Sequence, residues 1–209
     1  MKYLKKIIFI SIFFASIFSY QSCSVIKDVT NALADIGKLT FKIDNISNMT
    51  VAGIKIFEKR SINDVSTSDV LKLTAAYATK SFPADFTLNL LAKNPNDGTN
   101  GKQKTNAIIS SLDYRLILDD VSTINGDIKS ELTIPGSGQS IVIPLGMGLD
   151  LYKFFNDRGY ESIVNLALAI GGVNSSPSKV KLDIKPTVRT SLGPISYPSR
   201  ITVIDKEWK

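Results

Sequence analysis

The chain has 209 residues, of which 44% are hydrophobic and 21% are charged, as is typical of a folded protein with its own core. It contains no histidine and a single cysteine, which excludes an internal disulfide, a zinc site of cysteines and histidines, and a Ser-His-Asp or Cys-His catalytic relay. The formal charge of +6 includes three lysines of the N-terminal segment, so we predict no nucleic-acid partner.

Residues 1–22 have the pattern of a secretory signal peptide. Lys2, Lys5 and Lys6 precede an apolar run over residues 7–18. A membrane-spanning helix needs about 20 apolar residues, so this run is too short to be a permanent membrane span. We therefore expect the chain to be exported and this segment to be removed.

The only cysteine, Cys23, follows the small residue Ser22 in the stretch SYQSC. This stretch resembles the cleavage site of bacterial lipoproteins, in the looser form found in Bacteroidota, although Tyr20 and Gln21 depart from the usual residues. The alternative is an incidental cysteine beside an ordinary cleavage site. The resemblance implies that Cys23 is the mature N-terminus and carries acyl chains such as palmitate, which anchor the protein to the cell membrane or the outer membrane.

Residues 23–38 are predicted to be a tether between this anchor and a folded domain over residues 39–205. Surface-exported Bacteroidota lipoproteins carry an acidic cluster after the cysteine, whereas here only Asp28 lies near Cys23. We therefore expect the domain to face the periplasm.

From residue 39 onward, most of the chain has the alternation of strands. Residues 39–46 and 49–57 repeat with a period of two and are rich in valine, isoleucine, threonine and phenylalanine, which predicts two strands of one sheet. Residues 66–80 instead repeat at steps of three and four. This spacing predicts a short amphipathic helix that is capped by one of residues 66–68. One side of it is formed by Val70, Leu71, Leu73, Thr74 and either Tyr77 or Ala78.

The stretch FTLNLLAKNPND predicts a strand that ends in a corner. One face carries Phe86, Leu88, Leu90 and Ala92. Proline has no amide hydrogen for a strand ladder, so the strand must end at Asn94-Pro95-Asn96, and the following residues favour a turn. We interpret this triplet as a structural corner.

Further strands and turns follow the corner. A long strand is predicted with Ile108, Leu112, Tyr114, Leu116 and Leu118 on one face, and turns are predicted at Asn125-Gly126 and at residues 136–138. Residues 147–172 have a helical period broken at Arg158-Gly159, and we expect them to cover one end or edge of the sheets. A last strand has Val180, Leu182 and Ile184 inward.

The ordered set of KNPND, LDYRLILDDVSTINGD, IPGSGQSIVIPLG and VRTSLGPISYPSRI resembles the late embryogenesis abundant (LEA) type 2 family, also called the WHy domain, over about residues 45–205. The helix before the triplet strand and the helical insertion depart from that family pattern. The resemblance implies an immunoglobulin-like or fibronectin-III-like antiparallel β-sandwich, which agrees with the many short alternating strands. It identifies Asn94, Pro95 and Asn96 as the family signature.

Two hypotheses for function follow. The first is a non-enzymatic module of the cell envelope that protects or binds other envelope components under stress, as the family implies. The alternative is a module that binds lipid or another hydrophobic ligand under the helical insertion, although such an apolar stripe also fits plain core packing. Neither hypothesis requires a catalytic residue, a metal or a cofactor. A set of Asp119, Asp120 and Asp127 converging on an ion would contradict both.

Overall fold

The computed structural model describes residues 39–59, 64–99, 104–173, 180–190 and 193–204. These residues form two antiparallel sheets that enclose one hydrophobic core. The strands in this part of the chain are β1 Thr40–Val51, β2 Ile54–Lys55, β3 Pro83–Lys93, β4 Ala107–Leu118, β5 Val121–Ile128, β6 Leu132–Ile134, β7 Ser140–Asp150, β8 Val180–Thr190, β9 Gly193–Ser196 and β10 Ile201–Ile204.

The first sheet has the strand order β2-β1-β3-β7 and the second has the order β10-β8-β4-β5, with β6 beside β4 and β9 beside β8. Each of these pairings is antiparallel. The predicted fold class, a mainly β antiparallel sandwich with short helical insertions, is confirmed.

The core consists of the inward side chains of both sheets, as strand alternation requires. The predicted inward residues of β3 are all buried, and so are those of β8. Removing such a side chain from water contributes about 1.5–3 kcal/mol, so these residues supply much of the free energy that holds the sheets together. They are Phe86, Leu88, Leu90 and Ala92 in β3, and Val180, Leu182 and Ile184 in β8.

The first two predicted strands are wrong in their division. Residues 40–51 form one long strand, β1, which takes in only the first three residues of the predicted strand 49–57, and β2 is only a short return. The pairing of β1 with β3 shifts register between Ser47 and Thr50, and Asn48 between them has a φ of 54°. A bulge of this kind absorbs extra residues without ending the strand, which explains why the alternation breaks while the strand continues.

The predicted inward face of β4 is correct in its second half and wrong at its start. Ile109 is fully buried, whereas Ile108 is only half-buried. The register against β8 shifts between Ile109 and Ser111, and a one-residue shift moves every preceding side chain to the other face.

The turn predicted at Asn125-Gly126 is also wrong, because both residues lie within β5. The hairpin turn is instead Asp119-Asp120, with φ values of 48° and 66°. A two-residue hairpin turn requires this left-handed geometry, and aspartate tolerates it better than most residues. Gly126 instead makes room for the half-buried ring of Tyr114, because a Cβ on residue 126 would lie 2.2 Å from that ring.

The helices in the described ranges are α1 Thr67–Ala78, α2 Leu151–Phe155 and α3 Gly159–Ile170. The predicted cap of α1 is confirmed: the Ser66 hydroxyl accepts from the Asp69 amide, while the Asp69 carboxylate accepts from the Ser66 amide. Leu73 faces the core, but Val70 and Leu71 are 44% and 66% exposed, so their predicted burial is wrong. The buried side of α1 is narrow: Asp69 and Leu73 are buried, and Ala76 and Tyr77 are partly buried beside them.

Helices α2 and α3 lie at the end of the sandwich where β7 ends and β3 begins. The Leu151 amide donates to the Phe82 carbonyl, and Tyr77 of α1 packs edge-on against Tyr152 and Tyr160. The predicted break at residues 158–159 and the predicted covering of one end are therefore confirmed. No helix within the described ranges combines the length and apolarity needed to cross a membrane.

Candidate functional site

The corner after β3 is built around the side chain of Asn94, which is fully buried. Its amide nitrogen donates to the Thr105 carbonyl at 2.8 Å and to the Ile134 carbonyl at 3.2 Å. Its side-chain oxygen accepts from the Asn96 amide at 3.1 Å. One side chain therefore joins the end of β3 to the segment that leads into β4 and to the end of β6.

The predicted turn over residues 136–138 closes the same corner. A Cβ at Gly136 would lie 2.4 Å from the carbonyl oxygens of both Asn96 and Thr105, so only glycine fits there without movement. The Gly136 amide donates to Asn106 Oδ1 at 3.0 Å, and the Gly138 amide donates to the Asn94 carbonyl at 3.2 Å. Three chain segments thus meet over the triplet.

This geometry supports a structural role for Asn94-Pro95-Asn96. Both amide hydrogens and the side-chain oxygen of Asn94 are used within the fold, and both asparagines are at most 9% exposed. A buried polar side chain with all of its hydrogen bonds made fixes the path of the backbone. The two asparagines offer a ligand little accessible surface, whereas Pro95 between them is exposed.

Asp97, next to the triplet, belongs to a local turn. Its Oδ1 accepts from the Thr99 amide at 3.0 Å and from the Thr99 hydroxyl at 2.7 Å. These hydrogen bonds lower the pKa of the Asp97 carboxyl. Across the described ranges, no three histidine, cysteine, aspartate or glutamate side chains are grouped so as to hold a metal ion.

The structure does not bring Asp119, Asp120 and Asp127 together on one site. Each acid has its own partner on a neighbouring element, in the pairs Asp119 with Arg158, Asp120 with Lys181 and Asp127 with Ser111. The first of these pairs links the β4–β5 turn to the helical end of the sandwich. These acids therefore act as connections between elements.

At the helical end, Asp69 combines its capping role with an ion pair. Lys59 Nζ donates to Asp69 Oδ2 at 3.0 Å, and the two side chains are 20% and 12% exposed. The hydrogen bond from Lys59 and those from the amide and hydroxyl of Ser66 lower the pKa of Asp69 from 3.8 to about 2. This pair holds the start of α1 against the segment that follows β2.

The pair predicts a pH-dependent stability. Because the pKa of Asp69 is lowered by folding, its carboxylate stabilises the fold above about pH 4, and this contribution is lost as the pH falls toward 2. Asp69→Asn is therefore expected to lower the Tm at pH 7 and to approach the wild-type Tm near pH 2. Thermal unfolding from pH 7 to pH 2 measures this, with the exposed Asp157→Asn as control. A Tm deficit that stays constant over this range would contradict the role of the charge.

One feature that the sequence patterns did not identify is the edge position of β7. Residues 140–149, SIVIPLGMGL, contain no charge, and this strand pairs with β3 alone among the described strands. The order of strands in a sheet depends on which strands meet after folding, so it is not written in the local sequence. The one local indication of an edge strand was Pro144, because proline within sheets occurs mainly on edge strands.

Cys23, the signal peptide over residues 1–22 and the tether over residues 23–38 lie outside the described residues and stay predictions. The chain enters the described region at Leu39. Thr40 pairs with Lys93, so the chain enters the sandwich at the same end as the Asn94 corner, opposite the helices.

No family model matches this chain, and neither does any curated protein. Among solved structures, similarity is found to a protein provisionally assigned as LEA, with 17% identity, a TM-score of 0.35 and coverage of 92% of this chain and 86% of the other. A protein from Archaeoglobus fulgidus has 14% identity and a TM-score of 0.32, with coverage of 60% and 84%. A protein from Arabidopsis thaliana has 10% identity and a TM-score of 0.30, with coverage of 59% and 73%. At these TM-scores the matches assign no family, and the LEA type 2 resemblance stays an expectation from the sequence.

Proposed function

We propose that this protein is a lipid-anchored, non-enzymatic module of the cell envelope that acts by binding or protecting other envelope components, as LEA type 2 proteins are expected to do. The observation that carries the proposal is that the polar side chains considered as candidate site residues bind other parts of the same fold. Asn94, Asp97, Asp119, Asp120 and Asp127 each bond to a neighbour within the fold. A scaffold of this kind leaves function to its surfaces and edges.

The N-terminal segment supports the envelope location. The lysines at the start, the short apolar run and the lone Cys23 after Ser22 form one ordered signal. Acyl chains on Cys23 would hold the sandwich at a bilayer through the tether over residues 23–38.

The helical insertion supports the interaction module over the ligand-binding alternative. The apolar side of α3 is taken up by core packing, since Ile163, Ala167, Leu168 and Ile170 are at most 4% exposed. Just after α3, the position of a Cβ on Gly171 lies 2.4 Å from Ile56 and 3.3 Å from Met49 Sδ. An apolar stripe that already contacts the sheets belongs to the core.

The experiment is a drying test with the full-length protein purified from its own membrane. A reporter enzyme that loses activity on drying is dried with this protein, or with an equal mass of serum albumin, and then rehydrated. We expect the reporter to retain more activity beside this protein. Equal activity, together with lipid retained non-covalently in native mass spectrometry, would replace this proposal with the ligand-binding alternative.

A further inference from the structure

Strand β7 forms one edge of the first sheet, and its backbone register shows which groups face outward. The Leu151 amide donates to the Phe82 carbonyl at 2.9 Å, and every residue pair between β7 and β3 continues this register without a shift. Antiparallel pairs alternate between bonded and non-bonded residues. The odd-numbered residues of β7 therefore bond to β3, while Val142, Gly146 and Gly148 direct their amides and carbonyls to the open edge.

The opposite side of β3 agrees with this assignment. The Pro83 carbonyl accepts from the Ala52 amide on the β1 side, as expected if odd-numbered residues of β3 bond to β1 and even-numbered residues bond to β7. The outward backbone groups of β7 are thus a consequence of the register. Within the described part of the chain, no strand pairs with them.

The edge lacks the usual protection by charge. Natural edge strands commonly carry charges, proline or bulges that discourage a further strand; residues 140–149 carry no charge and pair without a bulge, and they have one such feature, Pro144. Gly146 and Gly148 are exposed, and nothing lies within 4 Å of the position of a Cβ on Gly146, whereas the Asp85 carboxylate of β3 lies 2.7 Å from that position on Gly148. Val142 is 53% exposed on the same outer face.

The core beside this edge is also less completely covered. Ile143 and Leu145 are each 2% exposed, whereas Met147 and Leu149 are 6% and 8% exposed, among the highest values in the core. The less covered side chains alternate with the two edge-facing glycines. An added strand with apolar residues at alternate positions would contact this rim while its backbone bonds to Gly146 and Gly148.

We propose that β7 accepts an extended, uncharged segment of another envelope protein by β-strand addition along Gly146–Leu149. This inference deepens the proposed interaction role and rests on it. The occupant is recognised by its backbone and by apolar side chains at alternate positions, with no charge inside the paired stretch.

Pro144 favours a different protein over a second copy of this chain. Its backbone nitrogen faces the open edge, and because proline has no amide hydrogen, the edge lacks one hydrogen-bond donor there. If two copies paired about a two-fold axis through this part of β7, the missing donor would occur twice, once in each copy. A strand from a different protein would meet the missing donor only once and could pair with β7 beyond it.

The test uses the full-length protein in detergent and, as probe, a peptide of alternating valine and threonine with terminal lysines. Hydrogen exchange read by mass spectrometry is expected to slow across residues 142–149 when the peptide is added. The matched control peptide is N-methylated at alternate residues, so that the edge it presents to β7 has no amide hydrogens, and it should give no protection.

Gly146→Pro removes one edge amide without touching the bonds to β3, and it should reduce protection by the peptide. Gly146→Ala keeps the amide, and nothing lies within 4 Å of its added Cβ, so it should behave as wild type.

If Gly146→Pro unfolds, the two peptides still decide the question on the wild-type protein. Equal protection by both peptides, no protection by either, or protection that rises with protein concentration alone and accompanies a dimer in sedimentation would overturn the inference. The drying test is independent, so a failure here leaves the proposed function to be judged separately.

Discussion

A Cys23→Ala variant is expected to move from the membrane fraction to the soluble periplasmic fraction. The thioether and amide positions for acyl chains exist only on this cysteine, since the chain has no other. Each buried methylene contributes about 0.8 kcal/mol to membrane binding, so the loss of two or three acyl chains removes nearly all of the affinity. Fractionation of cells, followed by immunoblotting and intact-mass measurement, checks the result.

Ser24→Ala is the matched control, because it changes the neighbouring residue and leaves the cysteine in place. It should stay in the membrane fraction with a mass that includes the acyl chains. Retention of Cys23→Ala in the membrane would show that residues 7–18 or the domain itself hold the protein there, and would overturn the lipid anchor.

Where side-chain alternation is uninterrupted, the sequence was sufficient to predict the fold locally. β3 and β8 each alternate cleanly, and their inward residues are buried as expected, from Phe86 to Ala92 and from Val180 to Ile184. The start of α1 was predicted to within residues 66–68, and the structure places its cap at Ser66, which forms a capping box with Asp69.

The errors in the strands share a physical cause, which is irregular backbone that side-chain patterns do not report. A bulge between Ile109 and Ser111 reverses which residues of β4 face inward. The left-handed turn at Asp119-Asp120 lies where two aspartates tolerate it, whereas Asn125-Gly126, the stronger turn signal, is held in β5 by cross-strand pairing. Tertiary pairing outweighed local turn preference at that position.

The corner shows the same division between local and distant information. The sequence predicted that β3 stops at Asn94-Pro95-Asn96, because proline cannot continue the ladder. It did not predict that Thr105, Ile134 and Gly136 meet there, since these residues come together only when β4, β6 and the turn before β7 are in place. The triplet was visible as a motif, but its hydrogen-bond partners required the fold.

Asn94→Leu is expected to lower the free energy of unfolding by about 3 kcal/mol. The substitution keeps a similar volume but removes three hydrogen bonds from a side chain with no exposed surface. Buried backbone groups that lose their partners cost about 1–3 kcal/mol each, and partial relaxation recovers some of this. For a domain of this size the Tm should fall by about 6–12 °C. Chemical and thermal denaturation of the full-length protein measure both quantities.

Asn45→Leu makes the same chemical change on the exposed outer face of β1. The hydrogen bonds that it removes, to Asp44 and from Asn89, are exposed to water, so its effect should stay within about 0.5 kcal/mol. Asn94→Asp separates hydrogen bonding from volume, because its ionised carboxylate retains the acceptor for the Asn96 amide but faces two carbonyls with no hydrogen to donate. Those carbonyls and the burial would raise its pKa in the folded state, so its stability relative to wild type should be lowest at neutral pH and recover as protonation at lower pH restores a donor. If Asn94→Leu melts with the wild type while drying protection is lost, the corner is a functional site and the structural interpretation is wrong.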